Sequence, residues 1–96
     1  MDLYHTKRWK AKRNKILRRD GYQSQLALRY GKHVQGETVH HIFPRDKYPE
    51  YQWQDWNLIT LSIKEHNRMH DRNTGELSEE GKALQERTAR EQGIEI

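Results

Sequence analysis

Cysteine is absent from this 96-residue chain. That excludes disulfides, thiolate zinc sites and any cysteine nucleophile. Proline is scarce as well, and its two copies, Pro44 and Pro49, fall in one stretch that they bar from regular structure. No apolar run approaches the length of a membrane span, and the basic N-terminus has no hydrophobic stretch behind it. These absences predict a soluble cytoplasmic protein with no membrane partner. Apolar residues make up 32% of the chain and charged residues 33%, so the core is thin. One domain, residues 1–96, is expected, and a chain of this size buries only about 60% of its unfolded surface. A metal or a partner chain would help to hold it together.

The net charge of +4 conceals an asymmetry. Residues 7–19, KRWKAKRNKILRR, carry eight of the eighteen basic residues and no acid. From Glu76 to Ile96 there are six acids against three bases. A basic N-terminal half points to a polyanion, most simply nucleic acid. The plain alternative is a solvated helix face.

No repeat or low-complexity linker divides the chain. Residues 5–20 read as a basic helix with Trp9, Ile16 and Leu17 on its inner stripe, stopped where Gly21 can take a left-handed cap. YQSQLALRYG reads as a strand or irregular ribbon, followed by the loop GKHVQGE. TVHHIF and NLITL are strand candidates on either side of the proline-containing loop PRDKYPEYQWQDW. A helix is expected from Ser62 to Asn73, opened by a Ser62–Glu65 capping box, and a last helix over 78–92 with Glu79 and Glu80 in its first turn.

Four of the six histidines fall in two clusters, the adjacent pair His40–His41 and the helical pair His66 and His70. On a helix, side chains four apart share a face, with Cβ atoms about 5–6 Å apart. Such a pair alone is often just polar surface. Beside a second pair it suggests a division of labour. One member of His40–His41 joins His66 and His70 as three protein ligands on a divalent cation, leaving a position open, as catalytic sites do. The other stays off the metal and serves as a general base near neutral pH. A regular strand would send adjacent side chains to opposite faces, so a bulge or bend is expected there.

The stretch ETVHHIFP…WNLITLSIKEHNRMH resembles the HNH endonuclease motif of the ββα-metal nucleases, over roughly residues 37–70 of a motif core placed at 37–73. RRDGY upstream is similar to the approach to that motif in small phage-type relatives. The resemblance implies an α+β fold: a ββα-metal core, made of a short antiparallel two-stranded ribbon plus a helix, flanked by the N-terminal basic helix and the C-terminal helix. It implies His41 as general base, Asn57 as the residue that holds the loop and thereby the base, and His40, His66 and His70 as ligands of one divalent metal. Three imidazoles favour Zn, Ni, Co or Mn over Mg, although Mg can still support turnover. The implied reaction is hydrolysis of DNA phosphodiesters with little sequence specificity, leaving 5′-phosphates. Arg45 and Lys47 after the site, and Lys12, Lys15 and Arg19 on the basic helix, are the candidate phosphate contacts.

Many relatives carry two CxxC pairs for a structural zinc. Here the matching positions hold Ser24 and Ala27, then Ser62 and Glu65. All four cysteines are missing together, and the capping box is expected to support the helix start instead. Two other classes stay open: a catalytically idle, metal-stabilised DNA-binding module, and an accessory subunit of a phage-like DNA packaging machine working with packaging proteins. A binding module needs neither His41 nor Asn57.

Overall fold

The computed structural model describes residues 3–96. The Thr6 hydroxyl accepts a hydrogen bond from the Trp9 N–H at 3.1 Å and caps helix α1, Lys7–Arg19. Its apolar stripe of Trp9, Ile16 and Leu17 is buried, as the spacing predicts. Beyond Asp20 the chain turns through Gly21 and Tyr22, both left-handed at φ 63° and 56°, and the Tyr22 N–H closes the turn on the Leu17 carbonyl at 2.9 Å. The strand or ribbon expected next does not form. Gln25–Leu28 is instead a one-turn helix, α2, because the Ser24 hydroxyl caps it through the Ala27 N–H and Gln, Leu and Ala favour helix. Extended pairing there is confined to a single bridge, Gln23–Gln35.

Strands β1, Thr38–His41, and β2, Leu58–Leu61, pair antiparallel in an unbroken register of Thr38 with Leu61, Val39 with Thr60, His40 with Ile59 and His41 with Leu58. The bulge or bend expected at the histidine pair is therefore not present. The regular alternation is what separates the two rings, and it also splits the core. Val39 and Leu58 pack with Trp9, Ile16 and Leu17 of α1. Ile59 and Leu61 pack on the other face with Ile42, Phe43, Met69, Leu84 and Ala89. With both faces covered, every residue of β2 is buried. Gly36, just before β1, lies so close to its neighbours that a Cβ would sit 2.3 Å from Thr60 Cγ2.

Helix α3 covers Ile63–Asn67 only. The capping box is present: Ser62 N–H donates to the Glu65 carboxylate at 2.9 Å, and Glu65 N–H to the Ser62 hydroxyl at 3.1 Å. The helix expected to reach Asn73 ends six residues earlier because the backbone finds other partners. The Met69 carbonyl accepts from Ser78, the Asp71 N–H donates to Glu76, and the Asp71 carboxylate accepts from the Asn73 and Thr74 N–H groups. His70 thus sits on a tight reversal bridged to Leu77, not on the helix. Helix α4, Glu79–Gln92, follows as expected, capped by Ser78. Side-chain oxygens of Ser24, Ser62 and Glu65 join α2 to α3. Burial alone would raise the Glu65 pKa. Hydrogen bonds from the Ser24 and Ser62 hydroxyls and the Ser62 backbone outweigh it and hold the carboxylate below its ordinary range.

Candidate active site and metal centre

His40 leaves β1 on the α3 side and is fully buried; His66 comes from α3 and His70 from the reversal after it. One ring nitrogen from each of the three lies within 4.8 Å of the others. Ring centroids are 5.2 Å apart for His40–His66, 5.6 Å for His40–His70 and 6.2 Å for His66–His70. Burial, then the neighbouring His66 and His70, lowers the His40 pKa to about 3, and burial followed by His70 lowers that of His66. Neutral imidazole is the ligand form. Among the described residues His40 Nε2 is buried with no hydrogen-bond partner, a costly state that a cation would relieve. The donor set therefore fits one divalent metal, and among the described residues it is the one cluster of this kind.

His41 leaves the strand on the other side. Its ring stacks on Trp9 at 5.1 Å and 21°, with Tyr4 edge-on at 6.2 Å. Its Nε2 lies 3.1 Å from the Gln52 carbonyl. A carbonyl only accepts, so Nε2 carries the hydrogen and Nδ1 keeps its lone pair. Burial lowers the His41 pKa, the Gln52 contact opposes that shift, and Arg45 adds to it. Asn57, immediately before β2 and fully buried, ties down the loop that supplies Gln52. Its Oδ1 accepts from Phe43 N–H at 2.7 Å, while Nδ2 donates to the carbonyls of Phe43 at 3.2 Å and Tyr51 at 3.1 Å. Trp9 and Gln52 were not among the residues singled out by sequence: Trp9 shows only as core stripe, and a backbone carbonyl leaves no signal in the side-chain pattern.

Because the ribbon has only two strands, the outer edge of β1 is open, and a cleft of about 640 Å³ along it reaches both His41 and the three ligands. Arg45 lines this cleft, its guanidinium 5.3 Å from the Tyr4 ring. Lys47 faces a different groove and pairs with Glu76 at 3.5 Å. Lys12 and Lys15 are both bonded to Asp55, which they hold down to a pKa of about 2, and Arg19 grips Asp20 and the carbonyls of Asp55 and Leu58. None of those three lines the cleft. Lys10 and Arg13 do.

An antiparallel ribbon and a short helix around a three-histidine cation site define a ββα-metal nuclease centre. No family model and no curated protein matches the sequence. Among solved structures the chain is similar to the HNH endonuclease of the deep-sea thermophilic bacteriophage GVE2, determined with a manganese ion, at 30% identity and a TM-score of 0.66, over 69% of this chain and 72% of that one. The chain belongs to the HNH endonuclease family. No helix among the described residues is long and apolar enough to cross a membrane.

Proposed function

We propose that the protein is a metal-dependent DNA endonuclease that hydrolyses phosphodiester bonds with little sequence specificity, using His41 as general base. The observation that supports this best is the split histidine pair. His40 stands with the ligand cluster, while His41 opens onto the same cleft outside that cluster. A divalent ion held by His40, His66 and His70 supplies polarisation of the phosphate and stabilises charge on the leaving oxygen.

The chain's own groups do the rest. The Gln52 carbonyl fixes the His41 tautomer, so Nδ1 takes the proton of a water whose oxygen forms the new bond to phosphorus. The bond from phosphorus to the 3′ oxygen breaks on the opposite side. That oxygen leaves with a proton from solvent, giving a 5′-phosphate and a 3′-hydroxyl. The face of Trp9 against the imidazole stabilises the cation formed on His41. Asn57 touches no substrate and acts as a positioning residue through the loop. The cations of the cleft, Lys10, Arg13 and Arg45, can neutralise phosphates whatever the sequence, which is compatible with weak sequence preference.

The test is conversion of supercoiled plasmid by the wild type in EDTA and across a panel of divalent metals, beside His41→Ala. Cleavage is expected only with metal and is expected to collapse in the variant. A wild type inert with every metal sinks this reading.

A further inference from the structure

Five cations of the basic helix divide between two tasks. At about 100° per residue, Lys12, Lys15 and Arg19 lie on one flank of the apolar stripe, Lys10 lies on the other, and Arg13 falls within the stripe between Trp9 and Leu17. The first flank is committed within the fold: two lysines share the Asp55 carboxylate, and Arg19 donates to two backbone carbonyls. Lys10 and Arg13 border the cleft. Among the described residues neither Lys10 nor Arg13 has a carboxylate partner, and Arg13 donates to the Asn14 side-chain oxygen at 3.4 Å. Arg45 adds a third cation to the same cleft, against the single carboxylate of Asp46.

Cations already paired to carboxylates gain little by exchanging one anion for another. Unpaired ones beside a site for a divalent ion build up positive potential that a phosphate backbone neutralises. We propose that Lys10 and Arg13, together with Arg45, hold the phosphates flanking the scissile one, so the bound strand runs along the N-terminal half of α1. Lys12, Lys15 and Arg19 serve the fold. This inference rests on the endonuclease reading for its ligand.

Anisotropy titrations of a labelled DNA duplex in EDTA, over a range of salt, test it without cleavage. Each lost phosphate contact flattens the slope of log K against log salt by about 0.9, so the Lys10→Gln, Arg13→Gln double variant is expected to lose about 1.8. Its melting temperature and metal titration should match the wild type. Lys12→Gln with Lys15→Gln should keep the slope and lower the melting temperature. Lys10→Gln alone, at an exposed position, is expected to lose about 0.9 and covers the case of an unstable double variant. A wild-type slope in Lys10→Gln and the double variant, or an equal loss in the Lys12, Lys15 variant, overturns the track. Plasmid cleavage by the wild type with those slopes unchanged overturns the track alone. The expected slopes with no cleavage overturn only the nuclease reading.

Discussion

A buried imidazole resists protonation, and the same neutrality that makes it a metal ligand makes it a base. His40 and His41 share this property and differ in what surrounds them. One has a buried nitrogen with no partner among the described residues and two other imidazoles close by; the other is clamped between an indole face and a carbonyl. His41→Ala is expected to cut cleavage by about 10²–10⁴-fold, the share of a general base, with metal affinity nearly intact. His40→Ala is expected to lose the metal. Calorimetric metal titration of the two variants checks the assignment, and the opposite pattern would swap the roles. The depressed pKa of His41 also places the acid limb of cleavage. The base is active when neutral, so activity should persist below pH 6.5, the ordinary histidine value, and fall only at lower pH. A rate profile falling already above pH 6.5 contradicts this.

Among the elements, the β1–β2 connection and the start of α3 set the precision of the site. Asn57→Ala removes three hydrogen bonds at a fully buried position and leaves the Phe43 N–H and two carbonyls without it. Each buried group left unpaired costs about 1–3 kcal/mol. Denaturant unfolding should show a loss of several kcal/mol, and the folded fraction should cleave poorly while still binding metal, because Gln52 no longer pins the base. Glu65 stands next to His66 and joins α2 to α3 through Ser24 and Ser62. Glu65→Ala is expected to cost about 0.5–2 kcal/mol as a lost cap, and to weaken metal binding by loosening His66. Metal affinity equal to wild type would mean that α3 is held by packing alone.

For the whole molecule, a metal ion and a thin core are linked. One divalent metal per chain is expected at saturation, since the chain has no thiolate for a second site; elemental analysis finding two would count against it. At a free concentration about a hundred times Kd, binding to the folded state alone adds about 2.7 kcal/mol, visible as a rise in melting temperature. The metal-free protein should have its own pH dependence. His40, His41 and His66 have folded pKa values below the unfolded value, so between pH 6.5 and the folded values the unfolded chain binds more protons. Their contribution to stability is complete above pH 6.5 and is lost as pH falls towards about 3, the value for His40. Thermal unfolding of the metal-free protein from pH 7.5 to 4 should show a steady decline, and a flat profile would mean that these rings are not buried in solution.

The sequence by itself determined most of the elements and which histidines cluster. Residue periodicity and caps marked α1, both strands, the capping box and α4, because a stripe, a β-branched run and a Ser-x-x-Glu pair are local features. Histidine pairs marked the site, because few other uses explain four imidazoles in two clusters. Tertiary structure decided everything that depended on competition between partners. Ser24 turned an expected strand into α2, and the reversal at 69–78 took the backbone groups that would have carried α3 to Asn73. An unbroken ladder, without the expected bulge, sent His40 and His41 to different cores, and the open edge of a two-stranded ribbon let one cleft reach both. Lys10 and Lys12 look alike in the chain; only the position of Asp55, brought from 43 residues beyond Lys12, separates a cation held by the fold from one that faces the cleft. Charge is written residue by residue, but whether a charge is already neutralised depends on which distant groups the packing brings beside it.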